Sequence, residues 1–340
     1  MSMNLTGSAP NAEALKKLNI SPEELQPATE AEKAANDQMR PSVSYWKDAM
    51  RRFARNKLAM CMLALLLLIV LAAIFGPIIS PYTYKMQTRD VRQGPSLQHP
   101  FGTDKLGRDM FVRVMYGTRI SLLVGVVTMV LVCIIGITYG AIAAYAGGMA
   151  DNLMMRFVDL MSTVPTTLII ILLSVVMRDP LKALLSNPSF AAFASLGSGL
   201  ISIFIVLALF NWLGMARSVR GALIMNRRQE YVLASEAMGA KPGWVIKRHL
   251  LPNSIGVIII SATGVVPSAI MTESFLSFIG LGVSAPIPSL GSMANDALNG
   301  IISYPMNMLL PAIMICLIIL CFNVVGDALR DALDPRMRSK

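Results

Sequence analysis

The side chains able to do chemistry are few in this 340-residue chain, and nothing in their spacing brings them together. There are two histidines, His99 and His249, and four cysteines, Cys61, Cys133, Cys316 and Cys321. Every cysteine falls inside an apolar run, and none stands at metal-ligand spacing from a histidine, so the four read as small buried hydrophobes. The sequence holds no Gly-Lys-Ser/Thr phosphate loop, no H-E-x-x-H and no C-x-x-C. No catalytic residue and no metal ligand is therefore assigned, and the chain is not expected to be an enzyme. One acid, Glu273, interrupts a long uncharged run. A charge at mid-bilayer costs about 2.5–3.5 kcal/mol on insertion scales. Glu273 is thus either a group on a translocation pathway, meeting a substrate amine or a neighbouring helix, or the interfacial cap of its span.

A different kind of site, mechanical rather than chemical, stands at 230–239. There E-Y-V-L-A-S-E-A-M-G, followed by H-L-L-P-N at 249–253, forms a polar island between two apolar runs. Glu230 to Met238 are good helix formers with no Gly or Pro among them. Tyr231, Ala234, Ser235 and Met238 recur at helical spacing on one face, which offers an aromatic ring, an adaptable thioether and two small residues. Glu236 and Ala237 complete the turn. Gly239 stands where a helix stop takes a left-handed residue. Pro242 suits the first turn of a second short helix carrying Trp244 to His249, which Pro252 is expected to end. The physics allows two roles: a hairpin that joins two spans, or a socket for a partner.

The elements around these residues follow from composition. The chain is 54% hydrophobic with a net charge of +10. Six nearly uncharged runs, about 58–79, 120–143, 164–177, 200–215, 255–273 and 306–325, are read as crossings of a hydrocarbon core about 30 Å thick. A kink is expected at Pro267. Before the first span, Val43, Trp46, Met50 and Phe53 lie opposite Lys47, Asp48, Arg51, Arg52 and Arg55, the pattern of an interfacial helix on anionic lipid. The organisation expected is a polar extension at 1–42, that amphipathic helix at 43–57, the first span and a polar segment at 58–118, a membrane domain at 119–328 and a polar tail at 329–340. No cleavable signal peptide is expected, because the first apolar run is too long and begins too late. With the amino terminus inside, inner segments hold 21 of the 30 lysines and arginines. That bias places both termini and the 217–253 loop in the cytoplasm. It accounts for the basicity without nucleic acid.

Two further motifs flank the second span. H-P-F-G-T-D-K-L-G-R-D at 99–109 reads alone as a turn and a charged surface helix, with Asp104 and Arg108 as an i,i+4 pair worth a few tenths of a kcal/mol. Y-A-G-G at 145–148 with M-R-F-V-D at 155–159 reads as a tight inner turn in which Arg156 pairs with Asp159. The 230–253 stretch resembles the EAA loop of ABC-importer permeases, with Ser235 where many members carry a second Ala. The 99–109 string, the 145–159 pair, E-S-F-L-S-F-I-G-L-G at 273–282 and the inner terminus at 326–336 together resemble the oligopeptide/dipeptide (peptide/nickel) permeases, C-type subunit.

That resemblance implies an all-α membrane protein of six transmembrane helices, the type I ABC-importer permease fold, with an amino-terminal elbow helix. It implies a multi-pass protein of the bacterial plasma membrane that imports oligopeptides or dipeptides. Its partners would be a homologous second permease, two ABC ATPase subunits and an extracytoplasmic peptide-binding protein. ATP and Mg would sit on the ATPases, with no cofactor on this chain. Glu230, Tyr231, Ala234, Ser235, Glu236, Ala237, Met238, Gly239, His249 and Pro252 would form the ATPase-coupling loop, with His249 orienting it by hydrogen bonding. Gly102, Thr103, Asp104, Gly107, Arg108 and Asp109 would form an outer gate, a receptor contact or a structural lid. A same-family permease for nickel or another small solute fits the same motifs. An ion-driven secondary transporter would want acids at mid-span and broken helices in both halves, and only Glu273 and Asp159 are candidates.

Overall fold

The computed structural model describes residues 45–187, 190, 197–283 and 285–333, and among these every regular element is a helix; one isolated bridge joins Thr103 to Asp109. The extension expected at 1–42, the start of the amphipathic helix and most of the 329–340 tail lie outside the described residues. The chain divides after Asp48 into a short amino-terminal unit and a body from Ala49 onward.

Helix α1 (Tyr45–Arg55) buries Phe53 against Ala59, Ala328 and Ala332. Helix α2 (Lys57–Ile79) starts on Asn56, whose side chain accepts from the Ala59 N–H at 3.1 Å, and runs through Pro77. Proline has no N–H, so the carbonyl four residues back loses its partner. That carbonyl belongs to Ala73, and Arg119 donates to it and to the carbonyl of Ile74.

Helix α3 (Met110–Ala146) is longer than the span expected within it, because Asp109 caps it ten residues earlier. Next come α4 (Gly148–Thr163) and α5 (Thr166–Val176), joined at an 82° bend. Composition predicts a loop where α4 lies and a span at 164–177. Proline disfavours helical backbone in the residue before it. Val164, preceding Pro165, is extended at φ −78°, ψ 134°, which turns the chain at that point. At 1.5 Å per residue the 11 residues of α5 reach about half way through a bilayer core.

Helix α6 (Arg178–Leu185) precedes α7 (Ser198–Arg227). Then follow α8 (Glu230–Ala237), α9 (Pro242–Val245), a π turn (Ile246–Leu250) and α10 (Leu251–Phe278). Pro267 leaves α10 unbroken. Helix α11 (Leu290–Ala297) and α12 (Met306–Leu333) close the body. Among the described residues, five helical segments are long and apolar enough to cross a membrane: α2, α3, α7, the run from α9 through α10, and α12; the bent pair α4–α5, taken as one span, makes a sixth.

Helices α3 and α7 meet along a seam of small residues. A Cβ at Gly136 would lie 2.6 Å from the Met215 side chain, and one at Gly140 would lie 2.5 Å from the Ala216 carbonyl. One apolar cluster at this end gathers Ala144 of α3, Val158 of α4, Leu223 of α7, Val232 of α8, Leu250 of the π turn and Ile258 of α10. It seats the short helices on the spans.

Candidate functional site

Helix α8 begins where α7 stops. Gln229 is extended, and Glu230 opens the helix exposed to solvent. The helix ends in a Schellman turn: Gly239 takes φ +83°, its N–H donates to the Glu236 carbonyl at 3.0 Å, and the Ala240 N–H donates to the Ser235 carbonyl at 3.1 Å. Pro242 opens α9, as the sequence reading has it.

The face expected from spacing divides in the structure. Val232 and Ser235 turn inward, while Tyr231, Leu233, Ala234, Ala237 and Met238 are exposed, Met238 at 83%. Ser235 lies nearer to Val232 than to Ala234 around the helix, so the apolar cluster claims it. Glu236 is half-buried, with Oε1 3.6 Å from Arg227 Nε. Pro252 does not end the second helix. It stands in the first turn of α10, and the chain is helical from Pro242 to Phe278. The π turn accommodates it. The Leu251 N–H donates five residues back, to Ile246, and the wider turn relieves the clash a proline ring makes with a preceding carbonyl.

His249 lies between two rings, Tyr231 at 5.8 Å and Trp244 at 5.0 Å between centroids. Asn253 Nδ2 donates to Tyr231 Oη at 3.0 Å and to the His249 carbonyl at 2.7 Å. The imidazole thus joins α8 to α9 by ring contact, and the loop's hydrogen bonds run through the His249 backbone.

Three arginines of α7 reach outward from this end. Arg217 Nη2 donates to Asp159 Oδ1 at 3.2 Å and Ser162 Oγ at 2.6 Å. Arg220 grips Asp151 with Nε and Nη2, each 2.5 Å from a carboxylate oxygen. Arg227 Nη1 donates to the Tyr145 carbonyl at 2.7 Å, and its guanidinium lies 4.6 Å from the Tyr145 ring centroid. The expected Arg156–Asp159 pair is replaced by these partners from a helix some sixty residues away in sequence. Arg217, Arg220, Arg227 and Asp151 are the residues sequence reasoning missed; the signal for them was three arginines at helical spacing where a span ends.

The 99–109 motif is no surface helix. Gly102 and Gly107 take φ +75° and +70°, and any Cβ there would strike the carbonyls of Gln93 and Thr88. Thr103 Oγ1 accepts from the Gln93 N–H at 2.8 Å. Asp104, 6% exposed, accepts from the N–H groups of Leu106 and Arg108 at 2.8 and 2.9 Å, from Arg108 Nε at 2.7 Å, and from Arg113. Burial alone would push its pKa up. The Arg108 N–H, the Arg113 charge, the Leu106 N–H and the Arg108 charge outweigh that and hold it below the ordinary value. Asp109 caps α3 through the Val112 N–H at 2.8 Å and meets His99 Nδ1 at 2.7 Å, both side chains almost wholly buried. The motif is a knotted loop around two buried carboxylates.

Glu273 has no exposed surface. Ser121 of α3 and Ser277 of α10 donate to its carboxyl at 2.8 and 2.7 Å, and Ser274 lies at 3.4 Å. Of the partners expected for it, the one the structure supplies is a neighbouring helix: the carboxyl joins α10 to α3. Elsewhere a cavity of about 290 Å³ opens between α7 and α10, lined by Asn211, Gly214, Ser218, Ser261, Gly264 and Ser268.

Residues 136–339 match the family described as binding-protein-dependent transport system inner membrane component. Residues 44–100 match the N-terminal TM domain of oligopeptide transport permease C. The oligopeptide transport system permease protein OppC of Bacillus subtilis (strain 168) is 44% identical over 321 residues, 94% of this chain and 99% of that one. The dipeptide transport system permease protein DppC of the same organism is 44% identical over 311 residues, 91% of each chain. Among solved structures, an inward-facing MetNI methionine ABC transporter chain is similar in fold, with a TM-score of 0.52 at 18% identity, over 66% of this chain and 98% of that one.

Proposed function

Since this chain belongs to the binding-protein-dependent transport system inner membrane components, and within them to the oligopeptide and dipeptide permeases of the C type, we propose that it forms half of the peptide path of an ATP-driven importer and takes its stroke through α8. The observation that carries this is the build of α8: Val232 and Ser235 buried on one side, Tyr231, Ala234, Ala237 and Met238 open on the other, and a glycine stop holding the end.

A homologous permease completes the path, and two ATPase subunits bind ATP with Mg and dock on the exposed side of α8 and on its counterpart. A peptide-binding protein delivers at the opposite membrane face. Both termini lie in the cytoplasm, on the ATPase side, in a bacterial plasma membrane. The wall of the path on this chain is the groove from Asn211 to Ser268. Its amide and hydroxyl groups are neutral and small. Such a wall meets the backbone of a peptide by hydrogen bonding and leaves side chains of either charge unopposed, which favours peptides over a metal ion, whose ligands it lacks. An ion-driven carrier would need Glu273 or Asp159 on the path; the Glu273 carboxyl is enclosed by serines, and Asp159 is paired with Arg217.

The experiment is reconstitution of the complete complex in vesicles. Uptake of a defined tri- or tetrapeptide that requires ATP supports the reading. Uptake by the purified chain under an ion gradient with no nucleotide refutes it, and ATP-driven uptake of nickel without peptide refutes the substrate.

A further inference from the structure

We infer that the arginine face of α7 binds α4 to the docking helix α8 as one rigid body, and that Asp151 and Arg220 are the positioning residues that carry the stroke to the third crossing. This rests on α8 as the ATPase dock.

Residues 217, 220 and 227 fall within a quarter-turn of one another around a helix of 3.6 residues per turn. From that one face the three side chains hold three different places. Arg217 holds the far end of α4 through Asp159 and Ser162. Arg220 holds its near end through Asp151, with two parallel bonds of 2.5 Å. A guanidinium fork on a carboxylate fixes orientation as well as distance. Arg227 holds the last turn of α3 through the Tyr145 carbonyl and lies 3.6 Å from Glu236 on α8. The seam at Gly136 and Gly140 leaves α3 no room to slide on α7. Val158 of α4 and Val232 of α8 are both fully buried in the same apolar cluster.

The connection from α8 to α10 is built differently. Asn253 on α10 donates to Tyr231 on α8 at 3.0 Å, Asn226 on α7 donates to Ser254 on α10 at 2.8 Å, and Ile258 of α10 joins the same apolar cluster; these bonds are neutral, and the covalent route passes through the π turn at Ile246–Leu250. A single neutral bond is about half as strong as a charge-assisted one, and a π turn is a place where helices adjust. A push on α8 therefore reaches α4 beside charge-assisted bonds, and reaches the start of α10 through neutral bonds and an adjustable turn. Helix α4 leads through the Pro165 bend into α5, so the third crossing is driven from its base.

Two measurements test this on the complete complex. Spin labels at Leu153 on α4 and Leu233 on the flank of α8, both exposed, should keep one distance distribution with and without ATP. Labels at Leu153 and at Val257, exposed on α10, should change theirs. A Leu153–Leu233 distance that shifts with nucleotide overturns the inference, and this needs no variant at the arginine face. Second, Asp151→Asn and Arg220→Gln should lower peptide imported per ATP hydrolysed by about fivefold or more, the lower end of coupling between linked sites, with the ATPases still bound. The charge-reversed pair Asp151→Arg with Arg220→Asp should recover part of that ratio. Unchanged ratios, or uptake and hydrolysis falling in parallel with no recovery, overturn it. If the unaltered complex shows no ATP-driven uptake, it is the proposed function that fails.

Discussion

Substituting Gly239 gives a graded test of the dock, because its environment separates backbone strain from crowding. A Cβ placed there meets nothing within 4 Å, so any cost comes from φ +83°. An L-residue in left-handed backbone costs about 1–2 kcal/mol, and asparagine tolerates it better than alanine. If docking requires the Schellman turn, that strain weakens ATPase binding by about 5- to 30-fold, at tenfold per 1.4 kcal/mol. Gly239→Ala should lose the amount above, and Gly239→Asn and Gly239→Asp, which tolerate left-handed backbone better, should lose less. Gly221→Ala is the control. It lies within α7 with open space around it and no positive φ, and alanine in a helix interior is favoured over glycine. The assay is titration of ATPase onto permease held in lipid nanodiscs. Wild-type affinity for Gly239→Ala, or equal losses for Gly239→Ala and Gly221→Ala, would refute the argument.

The knotted loop should respond to acid. A carboxyl held below its ordinary pKa contributes stability that is fully present above the unfolded value and is lost as pH falls through the folded one. For Asp104 that decline begins below about pH 4, and amide exchange at residues 88–109 should rise there and not between pH 6 and 8. Asp104→Asn should open the same segment at neutral pH, since it leaves the buried Arg113 with only the half-exposed Asp296, 3.4 Å away, as counter-charge, a loss smaller than the ~3–5 kcal/mol of a fully broken buried pair; retained protection in that variant would count against the hub. Glu273→Gln, which keeps an acceptor for the serines, should leave peptide uptake close to wild type. Glu273→Ala orphans two buried hydroxyls at about 1–3 kcal/mol each and should lower the melting temperature of the purified chain; a loss of uptake in Glu273→Gln with stability intact would return this acid to the path.

The crossings were legible because apolar runs of that length have few soluble uses, and the stop at Gly239 and start at Pro242 were legible because each is a local backbone requirement. Helix α4 was not. Asp151, Arg156 and Asp159 looked like loop chemistry after two glycines, and the groups that satisfy Asp151 and Asp159 arrive from α7. No local pattern announces a partner that distant. The same holds for one of the partners of Glu273: Ser274 and Ser277 stand beside it on α10, but Ser121 comes from α3. The 99–109 motif showed its charges but not its burial. Half of the bonds to Asp104 are backbone N–H groups, which every sequence possesses, and the Arg113 that completes it stands on the following helix. Ser235 was misplaced for a simpler reason: spacing puts it at the border of two faces, and only the position of the apolar cluster decides between them.

The bend at Pro165 bears on how the chain comes to be made. Eleven residues emerging from a ribosome as α5 cannot by themselves partition stably into lipid. Ile170 finds its buried neighbours in Ile203 and Leu207, which belong to α7 and are synthesised later. The third crossing is thus expected to be completed only when its successor leaves the translocon.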